Sequence, residues 1–161
     1  MSKRILITGA LGHIGSKLIH SIKPGEFEEV RMVDNLSTQR YASLFNLPKG
    51  VNFKFIESDI LEADMKALTQ DVDVVVHLAA ITDATSNFER HEEVEQTNYY
   101  GTKRVAEACI KTGSRFLFLS TTSVYGSQSD LVDETCPIDE LKPQSPYAEY
   151  KLKSEQMLQE M

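Results

Sequence analysis

The stretch Thr8-Gly9-Ala10-Leu11-Gly12-His13-Ile14-Gly15 constrains this chain more than any other. It follows Ile5-Leu6-Ile7, a short apolar run with the character of a buried β-strand. It leads into Ile14, Leu18, Ile19 and Ile22, whose spacing is that of an amphipathic helix. A bare glycine-rich turn needs neither flank; strand, glycine turn and helix together are the context of a dinucleotide site. Gly9 makes the tight turn, Gly12 lets backbone approach a pyrophosphate, and Gly15 allows close helix packing. The helix N-terminus then offers free N–H groups and partial positive charge to phosphates.

The rest of the chain repeats strand and helix. Val30-Arg31-Met32-Val33 is a second strand ending at Asp34, 19 positions after Gly15. That is where a carboxylate accepts from the adenosine ribose hydroxyls and repels a 2′-phosphate, favouring NAD over NADP. A turn or cap role for Asp34 fits equally, and Arg40 is a cation able to meet a 2′-phosphate. Residues 35–50 are a loop with a short helix. Val51 to Glu57 is a third strand, followed by Asp59, placed over the adenine or capping the next helix. Asp73 to Ala80 is a fourth, almost unbrokenly apolar as in a parallel sheet buried on both faces. Ala79 and Ala80 leave room beside the backbone, and His77 is expected to be a satisfied strand-end histidine. A long helix runs from about Glu92 to Thr112, stopped by Gly113, with Gly101 mid-length for close packing. Arg115 to Leu119 is the fifth strand, and Ser145-Pro146-Tyr147 opens the last helix. The alternation gives a doubly wound parallel α/β sheet of order 3-2-1-4-5, with its ligand crevice at the strands' carboxyl ends.

Composition narrows the function. The 161 residues suit one domain able to fold without disulfides. A net charge of −7 and no Lys/Arg run argue against a nucleic-acid partner. No apolar stretch is long enough for a membrane span or leader, so a cytoplasmic protein is expected. Cys109 and Cys136 are read as reduced thiols. The acids Asp130, Asp133, Glu134, Asp139 and Glu140 form a solvated loop with no metal-ligand spacing.

Tyr147 and Lys151, four apart on one helix, share a face. A nearby ammonium is expected to lower the phenol's ordinary pKa near 10, as would a positive nicotinamide. With the Thr121 hydroxyl at the end of strand five holding a substrate oxygen, Tyr147 takes a proton while hydride leaves for the cofactor.

These motifs resemble those of the extended short-chain dehydrogenases/reductases, in particular the NAD-dependent epimerase/dehydratase family acting on nucleotide sugars. The stretches that carry the likeness are Thr8-Gly9-x-x-Gly12-x-x-Gly15, Asp34-Asn35-Leu36-Ser37-Thr38, Ser58-Asp59-Ile60 and His77-Leu78-Ala79-Ala80. To these add Asn98, Ser120-Thr121-x-x-Val124-Tyr125-Gly126 and Ser145-Pro146-Tyr147-Ala148-x-x-Lys151. The resemblance implies a Rossmann fold over residues 1–161. It implies a cofactor set of Gly9, Gly12, His13, Ile14, Gly15, Asp34, Asn35, Asp59, Ile60, Leu78, Ala79, Ala80, Asn98, Ser120, Tyr147 and Lys151. Thr121, Tyr147 and Lys151 become the catalytic set, NAD the cofactor and a nucleotide-diphosphate sugar the substrate. The 4,6-dehydratases of this family carry an Asp-Glu pair directly after the catalytic Thr. Here Thr122 and Ser123 stand there, so an epimerase is expected, with a decarboxylase or reductase as alternative. The family also implies a C-terminal substrate domain, absent from these residues. The chain is therefore expected to be a short form or fragment, and a weakly active NAD-binding module is the competing expectation. Partners follow as a complementing C-terminal segment or a second copy meeting through the helix around Asn98, unless Tyr99 and Tyr100 are core.

Overall fold

The computed structural model describes residues 3–82, 89–128 and 131–161. Asp130 of the acidic loop lies outside them. The chain divides into two compact units, Met1–Ala79 with Arg104–Leu119, and Ala80–Lys103 with Ser120–Met161.

The first unit is built on five parallel strands, β1 Arg4–Thr8, β2 Glu29–Asp34, β3 Phe53–Glu57, β4 Val74–His77 and β5 Arg115–Phe118. Their order is β3-β2-β1-β4-β5, as expected from the sequence. In register, Thr8 stands opposite Val33 on β2 and His77 on β4, so these strands finish level. Alternate side chains feed two cores. On one face Leu6, Val33 and Val75 pack with Met65 and with Val105, Ala108 and Cys109. On the other Ile5, Ile7, Val30 and Met32 pack with Ile19 and Ile22. The helices responsible are α1 His13–Ser21, α2 Met65–Thr69 and α4 Thr102–Thr112. This is the Rossmann arrangement, with Leu6 and Ile7 wholly enclosed because both faces of β1 are covered.

The two ends of α4 show how local chemistry sets boundaries. Gly113 at φ +74° stops it, and the Ser114 N–H closes back on the Cys109 carbonyl. Its start is less regular. The expected single helix is α3 His91–Glu95, a π-helical turn Gln96–Gly101, and then α4. An expected helix beginning near Asp59 starts later, at Met65, capped by Asp64 accepting from the Ala67 N–H at 3.0 Å.

The second unit holds α3, the π-helical turn and α5 Pro146–Gln159, which pack together. Ser145 caps α5 by accepting from the Ala148 N–H, and Pro146 fills the first turn. Gly126, at φ +65°, lies so close under Lys142 that an added Cβ would fall 1.9 Å from that carbonyl oxygen. Among the described residues no helix is long and apolar enough to cross a membrane.

Candidate active site

In the first unit the glycine turn is locked by its own backbone. A Cβ on Gly9, which has φ +64°, would sit 2.6 Å from the Ala79 nitrogen. A Cβ on Gly15 would sit 2.4 Å from the Gly9 oxygen and 2.6 Å from that of Ala10. Gly15 thus lets α1 close onto the turn itself. Gly12 differs. It is the N-cap of α1, and a Cβ there would meet only the Gly9 oxygen, at 3.3 Å. The space a side chain would fill lies over the helix N-terminus, which is the cradle a pyrophosphate requires. His13 and Ile14, the first residues of α1, are both exposed there.

The acids at the strand ends converge on this turn. Asp34 accepts from the Leu11 N–H and the Leu36 N–H, both at 3.0 Å. It therefore does perform the turn role, and the same carboxylate keeps lone pairs for a ribose. Asn35 donates to Asp59 at 2.8 Å and accepts from the Ser37 N–H. Asp59 also accepts from the Leu61 N–H at 2.8 Å, so it shapes a turn and caps no helix. The Ile60 side chain is 4% exposed in the core with Val33 and Met65, so it packs the sheet and offers an adenine no apolar face. Leu78 and Ala79 stay against β1, their N–H groups directed at Thr8. His77 is enclosed and paired with the Thr8 hydroxyl at 2.7 Å, the satisfied histidine expected.

Beside the turn, Gly12, His13, Lys17, His20 and Arg40 line a cavity of about 620 Å³ with no carboxylate in its wall. Lys17 escaped the sequence reading. Its signal was the four-residue step from His13 along α1. Exchanging Asp34 tests the ribose role against the turn role. Asp34→Asn keeps one acceptor, whereas Asp34→Ala loses both. NAD affinity, by calorimetry, is expected to fall about tenfold or more for Ala and less for Asn, with NADP relatively favoured.

In the second unit Thr121, Tyr147 and Lys151 come together. Thr121 caps a short 3₁₀ turn, accepting from the Ser123 N–H and donating to the Ser123 hydroxyl, both at 3.2 Å. Its hydroxyl also acts on the Tyr147 phenol, favouring the ionised form. Lys151, one helical turn on, lies with Nζ 6.0 Å from the centre of the Tyr147 ring. Ser120 is exposed beside Thr121, and Ala80 is half-buried. Asn98 is buried. Its amide is spent on Ile81, accepting from that N–H at 2.8 Å and donating to that carbonyl at 2.9 Å. Tyr100 is 45% exposed and so is not core.

Electrostatics correct one expectation. Burial holds the Tyr147 phenol above its ordinary value, with the Thr121 hydroxyl working the other way. The net direction is therefore upward even with the Lys151 Nζ 6.0 Å from the ring centre, and Lys151 is itself destabilised as a cation. Burial pulls Lys151 down from 10.5 to about 8, against an opposing pull from Glu155. The sign for stability follows. Below pH 8 both folded and unfolded lysines are charged, and the full penalty is present. Between about 8 and 10.5 the unfolded chain binds more protons, so stability rises with pH, by on the order of 3 kcal/mol in total. Cys109, pushed by burial from 9.0 to about 11, opposes this above pH 9. Denaturant melts of Cys109→Ala are expected to show the rise, and Cys109→Ala/Lys151→Met is expected to lack it.

The model of the NAD dependent epimerase/dehydratase family matches residues 5–161. The chain belongs to that family. It is 34% identical to an uncharacterized UDP-glucose epimerase of Bacillus subtilis, over 96% of this chain and 50% of that one. It is 35% identical to the human dTDP-D-glucose 4,6-dehydratase, over 98% and 46%. Among solved structures, UDP-glucuronic acid 4-epimerase from Bacillus cereus, in complex with UDP-glucuronic acid and NAD, is 34% identical. It superimposes with a TM-score of 0.84 over 96% of this chain and 50% of that one. A UDP-N-acetylglucosamine 4-epimerase from Methanobrevibacter ruminantium gives 0.89 at 28% identity, over 99% and 50%. The chain thus spans about half the length of these relatives. Family members of both kinds, epimerase and dehydratase, are enzymes.

Proposed function

We propose that this chain is the cofactor-binding and catalytic portion of an NAD-dependent nucleotide-sugar epimerase. The observation that carries the proposal is the grouping of three side chains in one unit: the Thr121 hydroxyl acting on the Tyr147 phenol, and a buried Lys151 whose Nζ lies 6.0 Å from the centre of the Tyr147 ring. Gly9, Gly12 and Gly15 with the first turn of α1 would hold the pyrophosphate of NAD, and Asp34 and Asn35 the adenosine ribose. Bound NAD supplies a hydride acceptor and a positive charge. Thr121 orients a sugar hydroxyl toward Tyr147, which takes its proton as the carbon-bound hydrogen departs. Lys151, titrating near 8, returns or withholds a proton within reach of neutral pH. Thr122 and Ser123 are exposed hydroxyls, which bring no acid for expelling water from the sugar and so favour epimerisation over 4,6-dehydration.

A second reading has its own support. The chain spans half the length of its relatives, so remote contacts that grip the nucleotide would have to come from elsewhere. On that reading it is an NAD-binding module of little turnover, completed by a C-terminal segment or a second copy in the cytoplasm. A decarboxylase or reductase acting on the same substrate class would use the same three residues. One assay separates these. The chain is incubated with NAD and UDP-, GDP- and dTDP-sugars, following reduced cofactor and the sugar's configuration. Inverted sugar supports the epimerase; net reduced cofactor supports the decarboxylase; binding without either supports the module.

A further inference from the structure

We propose that Ser154 is a positioning residue whose hydroxyl latches the helix bearing Tyr147 and Lys151 onto the π-helical turn at Asn98. This rests on the reading above, in which that helix carries the base. Ser154 is wholly buried, three residues beyond Lys151 on the same side of α5. A buried helical serine ordinarily returns its hydroxyl to the carbonyl one turn back, and Ser154 does reach that of Tyr150, at 2.7 Å. The same proton is shared outside its own helix with the Asn98 carbonyl oxygen, at 3.0 Å.

That oxygen belongs to the π-helical turn, where the regular ladder is interrupted. It takes a second bond from the Thr102 hydroxyl at 2.7 Å, from within the same helical run. Asn98 is in turn clamped through its amide to both backbone groups of Ile81. A continuous path of hydrogen bonds therefore runs from α5 through the π-helical turn to the segment that follows Ala80. The Thr102 bond to this carbonyl stays within one helical run, whereas the Ser154 bond joins α5 to it. By fixing the rotation of α5 about its axis, the latch keeps Lys151 buried beneath the Tyr147 ring.

The test compares Ser154→Ala with Thr102→Val in the full chain, by hydrogen exchange and by NMR titration of the Lys151 side chain. Ser154→Ala is expected to speed exchange of the Ile81 amide by about tenfold, leaving the β1 and β4 amides unchanged. The Lys151 midpoint is expected to move up toward the ordinary lysine value as water reaches it. Thr102→Val is expected to leave that midpoint in place. An unchanged Ile81 amide and Lys151 midpoint in Ser154→Ala would overturn the latch. So would a uniform acceleration of all amides, which would give Ser154 only a general stabilising role. Neither readout involves turnover, so a Tyr147→Phe protein that retained turnover would reject the catalytic reading and leave the latch standing.

Discussion

Tyr147→Phe is expected to lower nucleotide-sugar turnover by about a thousandfold while leaving NAD affinity within a few-fold of the parent, the usual scale for removing a positioned acid or base. The substitution deletes one oxygen from a half-buried ring and keeps its packing in α5. It leaves Thr121 with its hydrogen bond to Ser123. Stability should therefore change little, and a loss of turnover is a chemical effect. Thr121→Ala is expected to fall short of the same loss, because Thr121 orients while Tyr147 moves the proton. Because burial already raises the Tyr147 phenol, the pH profile of turnover is expected to climb toward alkaline pH. Turnover surviving Tyr147→Phe at the parent rate would assign the proton transfer to another group.

The second large effect lies in the glycine turn, where two substitutions one turn apart should fail in opposite ways. Gly9→Ala places a Cβ in the left-handed region and drives it against three backbone atoms of Leu78 and Ala79, none farther than 2.7 Å. Backbone cannot step aside as a side chain can. The left-handed conformation alone costs about 1–2 kcal/mol. The collision adds to that, and a loss of several kcal/mol is comparable to the whole stability of a typical domain. The protein is expected to be unfolded or to melt far below the parent. Gly12→Ala adds its Cβ with a single contact at 3.3 Å. It should melt near the parent temperature yet lose NAD binding, since the methyl occupies the phosphate cradle. Thermal melts of both, each with and without NAD, check the pair.

Much of this was legible before any coordinates. The apolar runs of β1, β2 and β4 announce themselves because strands buried on both faces cannot alternate. Gly113 and Ser145-Pro146 mark helix ends through chemistry that acts within one turn. The residues that failed to show are those governed by distant partners. Nothing around Asn98 in sequence signals a π-helical turn, because Ile81 and Ser154 hold it from 17 and 56 residues away. Ile60 follows Asp59 as an adenine contact should, but the sheet claims its side chain. The raised Tyr147 and lowered Lys151 were hidden for a similar reason. A four-residue spacing gives proximity, whereas the sign of the shift depends on burial. Asp59 was offered as a cap in sequence, but α2 starts at Met65 and Asp64 caps it.

The most direct measurement is a calorimetric titration of the 161-residue chain with NAD. Saturable one-to-one binding, weakened by Asp34→Ala and abolished by Gly12→Ala in a protein that still melts cooperatively, is the predicted result. No heat of binding from the parent chain, or equal binding by all three, would contradict the placement of the cofactor at this turn and with it the hydride chemistry assigned to Thr121, Tyr147 and Lys151.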